Sequence, residues 1–194
     1  MKQSILLPKT SVKMPLRLQT EVQWSDAARR VPLGSLKYVT MEALMRQGAR
    51  ATFFLAPSLH TLPDKQDKST FVIDISVVDD DEIKELNHQY RGINKPTDVL
   101  AFAQLEEHPG AKSTFATVDE KVLLGDIVIS LPTAQQQALA AGHPLSEEMA
   151  FLTVHATLHL LGYDHMNAGD KKAMWEQQNA IMERICKWPA NRKR

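Results

Sequence analysis

Apolar positions along the chain follow two different periods, and the period changes from one segment to the next. Over residues 16–24 the apolar side chains of Leu16, Leu18, Val22 and Trp24 alternate with polar ones, which predicts a half-buried strand. Residues 71–78 and 122–130 are runs rich in β-branched side chains, and residues 98–102 form a shorter apolar run. Such runs are typical of buried strands. The pattern therefore predicts four strands that share one sheet.

Helical spacing of apolar residues occurs between these predicted strands. One helix is predicted to begin at Ser35 and to end at Gly48, because glycine favours the residue after a helix. A second follows the capping residue Asp79 and ends before Gly92, and a third begins near Pro132. Strands and helices are intermixed without a repeat. The pattern predicts an α+β domain with one mixed sheet packed against helices.

A further helix is predicted to be buried near the centre of the domain. Residues 149–161 are apolar on almost every side, which is typical of a helix that contacts protein all round. Ser146 is a candidate N-cap, and Glu147 and Glu148 follow at positions that the helix dipole favours. Gly162 is expected to end the helix.

Two histidines interrupt this apolar helix. His155 and His159 are four residues apart, so both imidazoles lie on one helix face and can bind one ion. A turn at Gly162 can bring His165 towards the same face. One buried histidine is usually a hydrogen-bonded core residue, but three within eleven positions favour a metal. Three neutral ligands leave one position of a tetrahedral zinc open to water, so the pattern predicts one catalytic Zn²⁺ per chain.

The residues around the histidines limit the chemistry of this site. A zinc peptidase of the H-E-x-x-H type has glutamate after the first histidine as its general base, and Ala156 stands there instead. Asp164 can act as that base, but its more frequent role is in a turn or as a hydrogen-bond acceptor for a ligand imidazole. The remaining histidines lie in polar segments and are expected at the surface; they are His60, His88, His108 and His143.

Composition sets the expected size, location and partners of the protein. A chain of 194 residues with 43% hydrophobic residues fits one domain. We predict a loose N-terminal arm over residues 1–15, a zinc-dependent hydrolase domain over residues 16–188 and a basic C-terminal tail over residues 189–194. Lys plus Arg and Asp plus Glu both total 23, so nucleic-acid binding must rely on local patches. The lone Cys186 and the lack of long apolar runs predict a cytoplasmic protein without a membrane partner.

Three segments resemble the signatures of a known family. The sequence from His155 to His165, HATLHLLGYDH, resembles a signature of the YbeY family of bacterial endoribonucleases and ribosomal-RNA maturation factors. Residues 86–102, which contain Tyr-Arg-Gly and Pro-Thr-Asp-Val-Leu-Ala-Phe, resemble a second signature, and residues 124–127 a third. The resemblance covers about residues 71–185. The chain departs from the family pattern only at small residues; these are Ala101, Ala103 and Ala156, where the family usually has serine, proline and glycine.

The resemblance implies a function and a set of site residues. It implies zinc bound by His155, His159 and His165, and a functionally required Arg91. It also implies a single-strand-specific endoribonuclease for ribosomal-RNA processing and quality control of the small ribosomal subunit, with that subunit or its proteins as partners. A guanidinium matches phosphate oxygens with planar paired donors, although an arginine at a helix end often serves the helix dipole alone. Two alternatives stay open: a zinc hydrolase of peptides or small amides, and a non-enzymatic assembly factor with structural zinc.

Overall fold

A computed structural model describes residues 17–31, 33, 38–56, 70–106, 114–115, 117–118, 121–164 and 168–186. In chain order, the elements are β1 (Arg17–Trp24), α1 (Asp26–Arg29), α2 (Tyr38–Leu55), β2 (Thr70–Val78), α3 (Asp80–Arg91), β3 (Val99–Ala103), β4 (Leu105–Glu106), β5 (Thr114–Phe115), β6 (Thr117–Val118), β7 (Lys121–Ser130), α4 (Leu131–Ala141), α5 (Leu145–Leu160) and α6 (Ala168–Ile185). The predicted arm and tail, and the predicted cap Ser35, lie outside the described residues.

One mixed sheet forms the centre of the fold. Its main strands lie in the order β1-β2-β7-β3, and β6 pairs with β7 beside them. β1, β2 and β7 run parallel, whereas β3 and β6 run antiparallel to β7. The four strands predicted from the sequence are confirmed to within one residue at each end. The predicted α+β class with one mixed sheet is therefore confirmed.

The two faces of β7 belong to different apolar clusters. Ile127 and Ile129 lie in the large core that also contains the buried side chains of α2 and α5. Val128 points to the other face and packs with Ile83 of α3 in a smaller cluster. Helices therefore cover the sheet on both sides, with α5 in the larger core. None of the helices in the described part of the chain combines the length and apolar character that a membrane span requires.

Gly48 does not end its helix, contrary to the sequence-based prediction. α2 continues to Leu55, and Gly48 lies buried in its middle. A β-carbon at this position would lie 3.2 Å from Val154 Cγ2 and 3.4 Å from the Ala150 carbonyl oxygen. Gly48 therefore permits the close approach of α2 to α5, and this long-range contact outweighs the local tendency of glycine to stop a helix.

The start of α5 also differs from its prediction. Ser146 is not the N-cap, because the helix begins at Leu145 after Pro144, and no side chain caps its first turn. By contrast, Asp79 caps α3 as predicted, in a reciprocal capping box with Glu82. α3 also ends at Gly92 as predicted, in the left-handed conformation.

Gly125 has a packing role in the segment of residues 124–127, which resembles the third family signature. The register of β2 against β7 shifts here, since Val72 pairs with Leu123 but Ile73 pairs with Gly125. Gly125 has a φ of 144°, and a β-carbon would overlap the Phe102 carbonyl oxygen. A larger residue cannot occupy this position without moving β3 away from β7.

Candidate metal centre

α5 is buried along almost its whole length, and the two predicted ligands are the exceptions. From Glu148 to Leu160 every residue is buried except His155 and His159, which are half-buried. Their imidazole centroids lie 4.8 Å apart with the ring planes at 83°. The predicted buried helix with both imidazoles on one face is confirmed. Between Glu148 and Leu160, these two side chains are the only ones exposed to solvent.

A buried amide on α6 orients the first of these imidazoles. Gln178 is 2% exposed, and its Oε1 lies 3.0 Å from Nδ1 of His155. An amide oxygen can only accept, so Nδ1 carries the hydrogen and donates it. A metal at this histidine would therefore bind Nε2, which is the usual arrangement when a metal-ligating histidine has an outer partner.

The donor set of the described residues fits zinc, with one ligand left as a prediction. Neutral imidazole nitrogens one helix turn apart are ligands that Zn²⁺ prefers. His165, the third predicted ligand, lies outside the described residues. Within the ranges that the structure describes, no group of three or more His, Cys, Asp or Glu side chains forms a candidate site. A metal bound by His155 and His159 would therefore need at least one further ligand.

A cavity of about 250 Å³ opens beside His155, between α5 and α6. The lining described is apolar at its base and polar at its edges; it comprises Asp98, Phe151, Leu152, His155, Lys171, Met174, Trp175 and Gln178. The four residues from α6 recur at helical spacing and form one face of that helix. The cavity gives a molecule larger than water access to the His155 side of the site.

The loop of residues 92–98 connects α3 to this cavity. Asn87 is 3% exposed, and its Nδ2 donates to the Lys95 carbonyl oxygen at 2.8 Å, which holds the loop against α3. At the far end of the loop, Asp98 lines the cavity. Its Oδ2 accepts from Gln137 Nε2 at 3.0 Å, and its Oδ1 accepts from the Val99 amide at 2.9 Å. Both ends of the loop are therefore fixed by hydrogen bonds.

Arg91 stands at the start of this loop, as the last residue of α3. Its side chain is exposed and makes no hydrogen bond or ion pair with the residues described. Asp98, at the other end of the loop, accepts from Gln137 Nε2. The described contacts join Arg91 to neither histidine. None of the described carboxylates pairs with its charge.

Comparison with known proteins decides the family. Residues 50–186 match the family model described as Endoribonuclease YbeY. The chain belongs to the YbeY family. An Endoribonuclease YbeY of Desulfitobacterium hafniense is 40% identical over 75% of this chain and 86% of the relative. That of Desulforamulus reducens is 51% identical over 56% of this chain and 68% of the relative.

A solved structure supports the fold. A solution structure of a Thermotoga maritima protein has a TM-score of 0.50 and 24% identity, and the match covers 86% of this chain and 89% of that one. At this identity the likeness concerns the fold alone. It agrees with the mixed sheet and surrounding helices of this YbeY family member.

Sequence reasoning placed one histidine of this YbeY family member wrongly. His143 was expected at the surface, but its side chain is 6% exposed and its Nε2 lies 2.8 Å from Oε2 of the fully buried Glu148. The expectation failed because a polar local context does not show that the imidazole pairs with a buried carboxylate in the first turn of α5. His88 is exposed as predicted, whereas His60 and His108 lie outside the described residues.

Two other reactive side chains have structural explanations. Burial, and secondarily the charge of Glu147, raises the pKa of the Cys186 thiol to about 11. The thiol therefore stays protonated at neutral pH and packs against the core. On the sheet, burial and then the opposite carboxylates Asp126 and Glu21 raise the pKa of Asp74. These three carboxylates repel one another across neighbouring strands.

Gln178 provides a test of the proposed orientation of His155. We expect Gln178→Leu to weaken zinc binding about 10- to 100-fold, because the imidazole loses the acceptor that fixes its Nδ1–H. Gln178→Glu keeps an acceptor and should stay close to wild type. Competition with a chromophoric chelator measures the affinity, and Gln177→Leu on the same helix is the matched control. Equal affinities for Gln178→Leu and Gln177→Leu would show that the amide does not support the metal.

Proposed function

We propose that this chain is a zinc-dependent endoribonuclease that cleaves single-stranded RNA in ribosomal-RNA maturation. The observation that carries the proposal is the pair of half-exposed imidazoles on a helix that is otherwise buried, beside an open cavity. Membership of the YbeY family supports RNA as the substrate, because the named relatives are endoribonucleases. We further propose that it acts in the cytoplasm, in quality control of the small ribosomal subunit, with that subunit or its proteins as partners.

Each site residue has a defined task in this proposal. His155, His159 and His165 would hold one zinc ion, and bound zinc supplies a Lewis acid that polarises a phosphate oxygen or acidifies water. Gln178 keeps His155 in the tautomer that leaves Nε2 for the metal. Arg91 contributes a charge that neutralises the negative charge gained by the phosphate during cleavage. The loop of residues 92–98 joins α3, which carries Arg91, to Asp98 at the cavity.

The same residues disfavour the two alternatives. Ala156 is 1% exposed, so the position after His155 supplies neither a base nor room for one, which disfavours a peptidase of the H-E-x-x-H type. Structural zinc sites are closed by four protein ligands, whereas this helix face is half-exposed and borders a cavity. A catalytic site with an open coordination position agrees better with both features.

Substrate choice tests the proposal. The zinc-loaded protein is expected to cleave a single-stranded fragment of ribosomal RNA and to spare both the same fragment in a duplex and casein. A chelator should stop cleavage, and added zinc should restore it. The chemistry of the product ends then separates attack by water from attack by the ribose 2′-hydroxyl. Degradation of casein with intact RNA would favour the hydrolase of peptides instead.

A further inference from the structure

We propose that the cavity between α5 and α6 binds one nucleobase of the RNA, next to the phosphate that is cleaved. The proposal rests on the endoribonuclease function and adds a substrate subsite to it. Because His155 lines the cavity, an occupant lies beside the candidate metal ligand. If the phosphate reacts at the metal, the nucleotide attached to that phosphate is the part of the RNA that can enter the cavity.

The base of the cavity suits a flat aromatic group. Phe151 and Met174 are 4% and 2% exposed, so the cavity reaches into the apolar core. Trp175 is half-buried, and its ring centroid lies 6.4 Å from that of Phe151 with the planes at 48°. A half-buried indole offers a face on which a base can stack, and such stacking is how proteins bind unpaired bases irrespective of sequence. The requirement for an unpaired base agrees with a single-stranded substrate.

A buried hydrogen-bond donor in the lining also needs an acceptor. If His155 binds a metal through Nε2, its Nδ1 carries a hydrogen that must face Oε1 of Gln178. The Gln178 amide therefore cannot exchange the positions of its oxygen and nitrogen, because its NH₂ group would then face another donor. This leaves Nε2 of Gln178 as a donor, and that atom is buried without a hydrogen-bond partner. Buried polar atoms rarely stay unpaired. The accessible surface of this atom is below 1 Å², so a base edge, whose ring nitrogens or carbonyl oxygens accept such a bond, reaches it only when the Gln178 amide moves towards the cavity.

The charge at the cavity edge agrees with a nucleotide. Lys171 lines the cavity and is exposed, so its ammonium group can reach a phosphate that flanks the bound base. The protein has no net charge, and local contacts of this kind must therefore hold the RNA. Trp175 and Gln178 would bind the base, while Lys171 would contact the backbone outside the cavity.

Abasic substrates test this assignment directly. A short RNA with one mapped cleavage site is synthesised with an abasic nucleotide at each position around that site in turn. One of these positions is expected to raise the KM of the zinc-loaded wild-type enzyme about tenfold. Trp175→Ala should raise the KM for the intact RNA to a similar extent, and Trp175→Phe should retain most of the binding. Zinc content must equal that of the wild type in both variants.

The decisive experiment combines the abasic RNA with the Trp175→Ala variant. Since both remove the same interaction, the abasic RNA should lose nothing further in Trp175→Ala, whereas independent effects would multiply and overturn the assignment. Lys172→Ala, a 77% exposed side chain on the same helix, is the control and should leave KM unchanged. If Trp175→Ala fails to fold, the abasic series on the wild type decides, and the absence of any sensitive position would overturn the subsite. The two failures are distinguishable: if only the subsite is wrong, the enzyme still cleaves RNA, whereas if the proposed function is wrong, it cleaves no RNA.

Discussion

His159→Ala is expected to remove both the zinc and the RNA cleavage. The variant leaves His155 as the only ligand on α5, and zinc sites need at least three protein ligands. The zinc content measured by elemental analysis should fall from about one ion per chain to less than roughly a tenth of that. Because His159 is half-exposed, the metal-free variant should melt within about 2 °C of the chelator-treated wild type.

The control for this variant is His88→Ala, which removes an exposed imidazole on α3 far along the chain from α5. It should keep both the metal and the activity. If His159→Ala retained one zinc ion per chain, the ion would have to be held elsewhere, and α5 would lose its assigned role.

Arg91→Ala is expected to keep its zinc and to lose cleavage about 100- to 1,000-fold, the usual loss when a group that stabilises transition-state charge is removed. The side chain makes no hydrogen bond or ion pair with the described residues, so its loss should not alter the fold. Arg91→Lys should recover only part of the rate, since an ammonium keeps the charge but lacks the paired planar donors. Rates on single-stranded ribosomal RNA at saturating zinc measure the effect.

Gln89→Ala provides the matched control, because Gln89 is exposed in the same last turn of α3. A general contribution of this helix end to stability would affect both variants alike. Full activity of Arg91→Ala would show that the arginine only complements the helix dipole, which is the role that its position at a helix end offers without any substrate.

The sequence predicted the central helix of the site well because the relevant signals are local. Apolar residues on every side of α5 predict its burial, and a spacing of four places His155 and His159 on one face. The arrangement of neighbours around that helix was not predictable in the same way. Gln178 lies 23 residues from His155 along the chain, and only the packing of α6 against α5 brings them together.

Three predictions in the fold were incorrect: a helix end at Gly48, an N-cap at Ser146 and a surface position for His143. Gly48 has the local signal of a helix end, yet its real role is close contact with Val154 of α5. His143 stands in a polar segment, yet Glu148 is buried beside it. Strand order was equally inaccessible, since β2 pairs with β7 although α3, β3, β4, β5 and β6 lie between them along the chain. Periodicity shows which face of an element is apolar but does not show what covers it.

The most direct test of a zinc-dependent nuclease is zinc content and cleavage of single-stranded ribosomal RNA, measured on the same preparations of the wild type, His159→Ala and Arg91→Ala. We expect zinc and cleavage in the wild type, neither in His159→Ala, and zinc without cleavage in Arg91→Ala. Cleavage that is equal in all three preparations, or a zinc-loaded wild type that leaves RNA intact, would contradict a catalytic role for this site.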